Sequence, residues 1–433
     1  MYKIICPVAM LWLVSCGEQA AVNDASKLNA LAAQYVRLGL TIGEYDADFV
    51  DAYYGPDSLK PTAAPQAVFP KDSLLTAVNE LTNALNAYDS TVNDTLAKRA
   101  AWIQAQLKAY ERRIKIFAGE TATFDEESKD LYGVAAPVYH AQHFQQIVTR
   151  LDSLLSGKGS INERFQQLAN HFIIPKDKLD TVFKTAIAEC RKRTMQHYTL
   201  PANESFTLEY VTNKPWSGYN WYKGNYRSVI QINTDLQIFI DRAIDVGSHE
   251  SYPGHHVYNM LLEKNLYRSK GWVEISLYPL FSPQSLIAEG SANYGITVAF
   301  PGDEKVTFAK DVLLPLAGLD TAGISLYFKA LELKGDLNYA RNEVGRGLLN
   351  NTMTEQQAIQ WLKDYCLMNE ETAVKSVSFI RKNRSYVINY NYGKDLVVKY
   401  IASKGGDESV EKKWEVFGEL LSNEVRTAEL LAE

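Results

Sequence analysis

Cysteine is scarce in this chain, with 4 among 433 residues. Two of them, Cys6 and Cys16, lie near the start, which leaves Cys190 and Cys366 for the rest of the chain. Neither stands in a C-x-x-C spacing or in the cysteine and histidine spacing of a zinc finger, so that class is excluded. A disulfide between them and two buried free thiols both agree with the sequence, because separation along the chain says nothing about proximity.

Clusters of positive charge are also missing. The formal net charge is -6, and charges of both signs are spread along the chain. No run of lysine and arginine has the pattern that follows a phosphate backbone. We therefore expect no nucleic-acid partner.

Long apolar segments are absent as well. The apolar run from Ile4 to Val14, behind Lys3, has about 11 residues and falls short of the roughly 20 that a membrane-spanning helix needs. LVSCG follows it and resembles the lipobox of bacterial lipoprotein signal peptides. A short buried helix and a signal anchor are the alternatives. We favour a signal peptide at residues 1–15 and a lipid on Cys16, which anchors the protein to a membrane of the bacterial cell envelope.

No linker rich in proline, serine or glycine divides the remaining chain, and no repeat of fixed period occurs. Residues 16–27 are polar and suit a lipidated tether. Residues 28–200 place apolar residues three and four apart, which predicts a helical N-terminal part. Residues 201–433 hold the motifs described below and are expected to form a metal-binding catalytic part. We expect residues 28–433 to be one structural unit.

The apolar period changes near residue 206. FTLEYVT (206–212) and RSVIQINT (227–234) alternate apolar and polar residues, as half-buried strands do. The stretch between them, NKPWSGYNWYKGNY (213–226), is rich in aromatic residues and glycine, which predicts a loop over a cavity or an aromatic-capped turn. The sequence therefore predicts a mostly α fold with a small β-hairpin or sheet.

Three of the 7 histidines fall in HESYPGHH, residues 249–256. In an unbroken H-E-x-x-H helix, two histidines four residues apart bind one zinc ion and the glutamate between them holds a water molecule. Here Pro253 stands four residues after His249, and proline cannot donate the helical hydrogen bond to the His249 carbonyl. The stretch is either a metal site with an unusual backbone or a chance group of polar residues.

A two-residue bulge at Pro253 and Gly254 would bring His255 to the place of the second histidine. His256 is the alternative ligand, but two helical turns separate it from His249, roughly 10 Å along the axis, which is too far for one metal ion. We favour His255.

A third ligand is expected on a later helix. Glu289 in LIAEGSANYG is costly to bury unless something pairs with it, and a metal ion is the natural partner. Asn293, one turn later, and Asp245, one turn before His249, are candidates to hold a ligand by hydrogen bonds, with helix capping or surface solvation as the alternatives.

HESYPGHH and AEGSANY together resemble the H-E-x-x-P-G-H-H and E-G-x-x-x-Y motifs of the bacterial domain of unknown function 885 family, which is grouped with the zincin metallopeptidases. YDADFVDAYYGP, NKPWSGYNWYKGNYRS, YPLFSPQSLIAEG and YVINYNYGKDLV also look like its members, so the resemblance spans nearly all of the mature chain. It implies a mostly helical, zincin-like fold with a deep active-site cleft. It also implies zinc ligands at His249, His255 and Glu289, with Glu250 as catalytic base.

Tyr390 in VINYNYG is the candidate donor to the reaction's oxyanion, because helical zincins often use a downstream tyrosine and this segment resembles the family's tyrosine and glycine motif. Tyr386 and Tyr392 lie close by in sequence and are possible substitutes. The expected activity is zinc-dependent hydrolysis of peptide bonds in short peptides. A metal-dependent hydrolase of another amide or ester is one alternative. A non-catalytic lipoprotein that binds a ligand through residues 213–226 is another, although it has no use for Glu250 as a base.

Overall fold

The protein is described here by a computed structural model that covers residues 13–88, 94–214, 216–235 and 237–431, with side chains from Asp24 onward. Residues 1–12 of the expected signal peptide and the side chain of Cys16 lie outside the described part. Residues 16–27, the expected tether, belong to a helix that begins at Leu13.

Helices dominate the described residues: α1 (Leu13–Gly43), α2 (Lys71–Leu85), α3 (Asp94–Phe117), α4 (Phe124–Tyr132), α5 (Ala141–Leu154), α6 (Ile161–Ala169), α7 (Leu179–Met195), α8 (Ile240–Val246), α9 (His255–Leu262), α10 (Pro283–Ala299), α11 (Glu304–Phe308), α12 (Leu314–Ala317), α13 (Ile324–Asp336), α14 (Ala340–Leu349), α15 (Glu355–Tyr365), α16 (Glu370–Asn383), α17 (Ile388–Ser403), α18 (Val410–Ser422) and α19 (Thr427–Leu431). The strands are β1 (Val50–Tyr53), β2 (Ser205–Val211), β3 (Gly218–Tyr222), β4 (Arg227–Asn233) and β5 (Leu277–Pro279). The predicted mostly α fold with a small sheet is confirmed.

Short sequence signals mark the start of several helices. At α4 the Thr123 side chain accepts a hydrogen bond from the Glu126 backbone, and the Glu126 carboxylate accepts one from the Thr123 backbone. The same reciprocal arrangement begins α6 at Ser160 and α15 at Thr354. These pairs satisfy backbone donors that the first turn of a helix leaves without partners.

The three-stranded sheet has the order β2, β4, β3, with β2 parallel to β4 and β3 antiparallel to it. The prediction of a loop or turn for residues 213–226 is wrong at residues 218–222, which form the edge strand β3. The alternating Tyr219 and Trp221 side chains share one face of this strand, and Trp221 Nε1 donates a hydrogen bond to Gln231 Oε1 on β4 at 3.0 Å. Cross-strand pairing thus overrides the turn signals of the glycines.

A second, two-stranded sheet pairs β1 with β5 in antiparallel fashion. It ties the segment after α1 to the segment that leads into α10. Its register shifts between Val50, which faces Pro279, and Ala52, which faces Tyr278. Asp51 therefore lies at a β-bulge.

Helix α10 runs through the interior and packs against α17. A Cβ atom added to Gly290 would lie 2.4 Å from the Gly393 carbonyl oxygen, and one added to Gly393 would lie 2.8 Å from the Leu286 carbonyl oxygen. The two backbones can touch only because both residues lack side chains. This close crossing brings Glu289 on α10 next to Tyr386, which lies just before α17.

Cys190 and Cys366 are both buried free thiols, so the disulfide alternative is not realised. Burial raises the pKa of each thiol to about 12. Within the described residues, no helix combines the length and the hydrophobicity required to span a bilayer.

Candidate metal centre

The HESYPGHH motif breaks the helix where the sequence places its proline. Helix α8 continues into a π-helical turn at Gly247–Ser251, the Tyr252–Pro253 peptide bond is cis, and α9 begins at His255. Across the break, the Gly254 backbone donates a hydrogen bond to the Ser248 carbonyl at 3.0 Å.

Gly254 is required by this path of the chain. A Cβ atom at this position would lie 1.9 Å from the His249 carbonyl oxygen and 2.4 Å from the Ser248 carbonyl oxygen. Real contacts of that kind are far longer, so any other residue would force the two segments apart. The break turns the imidazole of His255 towards that of His249.

Three ligand atoms converge beside this turn. His249 Nε2 lies 3.1 Å from His255 Nε2, and Glu289 Oε2 lies 3.4 Å from the first and 3.8 Å from the second. Ligand atoms about 2.1 Å from a tetrahedral zinc ion are about 3.4 Å apart, so the three distances fit one ion. Among the described residues, this is the one set of three histidine, cysteine or acidic side chains close enough together to share a metal.

The Glu289 carboxylate is satisfied at one oxygen and not at the other. Oε1 accepts a hydrogen bond from the Tyr386 hydroxyl at 2.9 Å, whereas the buried Oε2, which faces the imidazoles, accepts none from the described residues. A buried acceptor without a donor costs on the order of 1–3 kcal/mol. Burial raises the pKa of Glu289, but His249 and His255 outweigh burial and hold that pKa well below its usual range. The donor set therefore fits a cation.

Asn293, one of the two residues expected to support a ligand, contacts His249. Asn293 Oδ1 lies 3.1 Å from His249 Nδ1, and Asn293 Nδ2 donates to the Tyr390 carbonyl at 2.9 Å. Because the amide oxygen only accepts, Nδ1 carries the proton and Nε2 presents its lone pair to the cluster. Asp245, the other candidate, forms an ion pair with Arg242 instead. That prediction was wrong because a cation one turn earlier on the same helix attracts the carboxylate.

His256 lies outside the cluster. It is fully buried, with Nδ1 2.8 Å from Ser228 Oγ and Nε2 3.1 Å from Glu204 Oε2. Consecutive residues of a helix point about 100° apart, so His255 and His256 face different surroundings. Burial raises the pKa of Glu204, but hydrogen bonds from His256, Tyr252 and Arg191 outweigh it and hold the pKa at about 2.

Glu250 follows His249 in the chain and contacts the edge strand β3. The residue is buried, and its carbonyl accepts a hydrogen bond from Asn220 Nδ2 of β3 at 2.6 Å. A Cβ atom on Gly218 would lie 3.3 Å from Glu250 Oε1, so β3 passes close to the carboxylate because residue 218 is glycine.

Tyr390 approaches the same space from α17. Its ring centroid lies 5.7 Å from that of Tyr386. Burial, and then the negative charges of Glu289 and Glu250, raise the pKa of Tyr390 well above its ordinary value, so the phenol keeps its proton near neutral pH. Tyr392 has different surroundings, since Asp395 and Tyr139 are the groups that, after burial, raise its pKa.

Sequence reasoning missed Asp51 and Tyr219. The Tyr219 hydroxyl donates a hydrogen bond to Asp51 Oδ1. Burial raises the pKa of Asp51 to about 6, with opposing contributions from Tyr219 and His255 and a further rise from Glu289 and Glu250. Both residues fall in stretches that carry the family resemblance, but no local pattern marks either as part of a site.

Comparison with known proteins finds no matching family model and no matching curated protein. Among solved structures, a protein of Colwellia psychrerythraea described as a lipoprotein is 15% identical, with a TM-score of 0.53, over 82% of this chain and 65% of that one. A Shewanella oneidensis protein of unknown function, also described as a lipoprotein, is 14% identical with a TM-score of 0.47, over 84% of this chain and 70% of that one. The M32 carboxypeptidase of Deinococcus radiodurans R1 is 10% identical with a TM-score of 0.46, over 92% and 90%.

The shared feature is the fold. The chain spans 65% of the length of the Colwellia protein, and at 15% identity the likeness says nothing of activity. The other two similarities have TM-scores below 0.5 and carry no further argument.

Proposed function

We propose that this protein is a zinc-dependent hydrolase of peptide bonds, with a zincin-like fold and membership of the domain of unknown function 885 family. The observation that carries the proposal is the convergence of His249 Nε2, His255 Nε2 and the unsatisfied Glu289 Oε2 at distances that suit one metal ion. Two imidazoles and one carboxylate are a common ligand set of catalytic zinc sites, which keep a further position open. Zinc held there supplies Lewis acidity, lowering the pKa of water towards neutrality and polarising a carbonyl.

Glu250 is the proposed general base. It follows His249 directly in the chain, is buried, and is not one of the converging ligands. A carboxylate in this place accepts the proton of the attacking water and returns it to the leaving amine. A binding protein would have no need of it.

Tyr390 is the proposed donor to the oxyanion. Its phenol stays protonated because burial, Glu289 and Glu250 disfavour the charged form. A protonated hydroxyl held by a rigid helix can donate a hydrogen bond to negative charge as it develops on the carbonyl oxygen. The free edge of β3 beside Glu250 offers backbone groups with which an extended peptide substrate can pair.

The test combines metal analysis with hydrolysis of a peptide library by the purified mature protein. We expect about one zinc ion per chain. Glu250→Gln keeps the size of the side chain and removes the base, so zinc content should persist while hydrolysis falls by roughly 10² to 10⁴. Glu371→Gln, an exposed residue of α16, is the control and should behave as wild type.

Two outcomes would contradict the proposal. Wild-type turnover by Glu250→Gln would rule out the role of this base. A zinc-loaded wild-type protein that cleaves no peptide would redirect the assignment, to a hydrolase of another amide or ester if such a substrate is cleaved, and to a ligand-binding lipoprotein if none is.

We further propose that the protein is a lipoprotein of the cell envelope, acylated at Cys16. LVSCG supports this, and so does the description of the Colwellia protein of similar fold as a lipoprotein. Cys16→Ser should lose labelling by a fatty acid and should leave the membrane fraction during cell fractionation. Retention of both label and membrane association would show that the anchor is elsewhere.

A further inference from the structure

An acidic side chain lies at a β-bulge, close enough to the candidate metal centre for the charges of His255, Glu289 and Glu250 to act on it. Asp51 sits on β1 where the register against β5 shifts, between Val50 and Ala52. A bulge bends its strand and re-aims a side chain, and bulges are frequent beside active sites. The Asp51 carboxylate meets the Tyr219 hydroxyl of β3, so a hydrogen bond joins the two separate sheets.

Among the described residues no lysine, arginine or histidine forms a salt bridge with the Asp51 carboxylate, and the Tyr219 hydroxyl is the hydrogen-bond donor that reaches it. Glu250 and Glu289 are close enough to raise its pKa further, beyond the effect of burial, and His255 lowers it. Partial burial of an ionised carboxylate beside two other carboxylates is unfavourable unless a cation binds to it.

The edge strand connects Asp51 with the proposed base. Side chains alternate between the two faces of a strand. Gly218 and Asn220 therefore share the face that contacts Glu250, whereas the Tyr219 side chain projects from the other face and contacts Asp51. A peptide paired with the free edge of β3 would run along the strand whose consecutive residues contact both Glu250 and Asp51. In an N-terminal residue, the α-ammonium group and the carbonyl are bonded to the same Cα atom.

We propose that Asp51 binds the α-ammonium group of the substrate, and that the protein is an exopeptidase that removes residues from a free N-terminus. This inference rests on the proposed peptidase function and adds its substrate class. An ammonium group supplies the missing positive charge, and it donates hydrogen bonds to a carboxylate that Tyr219 already orients. A substrate's C-terminal carboxylate would instead meet the repulsion of Asp51 and Glu250.

The test compares two versions of one peptide at pH 7.5, one with a free amino group and an amidated C-terminus, the other with an acetylated amino group and a free C-terminus. Wild-type kcat/KM should be at least 100-fold higher for the peptide with the free amino group. Asp51→Asn keeps the acceptor for Tyr219 and removes the charge, so it should raise KM for that peptide at least tenfold and leave zinc content unchanged. Asp48→Asn, an exposed carboxylate paired with Lys382, is the control and should keep the wild-type preference.

Binding provides a readout independent of turnover. In Glu250→Gln, calorimetry should show at least tenfold tighter binding of the free-amine peptide than of the acetylated one, and the added Asp51→Asn change should remove the difference. Equal cleavage of both peptides, or preference for the acetylated one, would overturn the inference and leave the peptidase proposal intact. Failure to cleave or bind either peptide would instead count against the peptidase proposal and overturn this inference with it.

Discussion

His255 and His256 are neighbours in sequence, yet each belongs to a different group of histidine and carboxylate side chains. In what we call the open cluster, His249, His255 and Glu289 face one another and the Glu289 Oε2 atom accepts no hydrogen bond from the described residues. In the closed cluster, His256 uses both ring nitrogens, on Ser228 and Glu204. Glu204 also accepts hydrogen bonds from the Tyr252 hydroxyl at 2.6 Å and from Arg191 Nε at 2.8 Å.

The same residue types therefore serve two purposes. A closed network of hydrogen bonds stabilises a fold, because every buried polar atom is paired. An open cluster with an unsatisfied carboxylate oxygen costs stability by itself and becomes favourable when a cation fills it. Unfilled hydrogen-bonding capacity, more than the presence of histidine, distinguishes a candidate metal centre from a structural network.

The largest expected effect comes from removing one histidine from each cluster. His255→Ala deletes a proposed ligand, so zinc affinity should fall by more than the roughly 10- to 100-fold that residues supporting a ligand contribute. His256→Ala should retain zinc, because that imidazole faces Ser228 and Glu204. Titration with a competing chelator measures both affinities. Equal zinc affinity of the two variants would contradict the assignment of the metal to the open cluster.

The next largest effect concerns Tyr390, which lies close to the open cluster without belonging to it. Tyr390→Phe removes one hydroxyl beside Glu289 and Glu250, and turnover should fall by about 10² to 10³ with little change in KM if the hydroxyl acts on the oxyanion. Zinc content should not change. Tyr392→Phe, two residues away and near Asp395, is the matched control and should keep wild-type turnover. An equal loss in both variants would point to a general disturbance of α17.

The sequence predicted those features of the open cluster that depend on local chemistry. Pro253 forces a break in the helix after His249, and Gly254 has no side chain to obstruct the close return of the chain, so the choice of His255 over His256 could be argued before the structure. Glu289 stood out because a carboxylate on an apolar helix needs a partner.

Contacts between residues far apart in the chain could not be predicted in this way. Asp51 and Tyr219 are 168 residues apart in the chain, and they meet only because the fold brings together β1 and β3, which belong to different sheets. The role given to Asp245 failed for a related reason, since the sequence showed its distance from His249 but not that Arg242 would take the carboxylate. The strand β3 was hidden because its glycine and aromatic residues are equally typical of a turn.

The smallest expected effect concerns the closed cluster and acid. Glu204 has a pKa of about 2 in the folded protein, against an ordinary value of 4.5. A carboxyl whose pKa is lower when folded stabilises the protein above the unfolded pKa, and the stabilisation disappears as pH falls through the folded pKa. The contribution of Glu204 should therefore be complete at pH 6 to 7, on the order of 3 kcal/mol, and should decline from about pH 5 to about pH 2.

Denaturant unfolding of the metal-free protein across this range, in wild type and Glu204→Gln, measures the effect without interference from zinc loss. The difference in unfolding free energy should be largest near neutral pH and should shrink as the wild-type carboxylate takes up its proton. Glu209→Gln, an exposed position on β2, should follow wild type throughout. A difference that stays constant down to pH 2 would mean that Glu204 contributes by shape and packing, and that the closed cluster does not depend on a charged carboxylate.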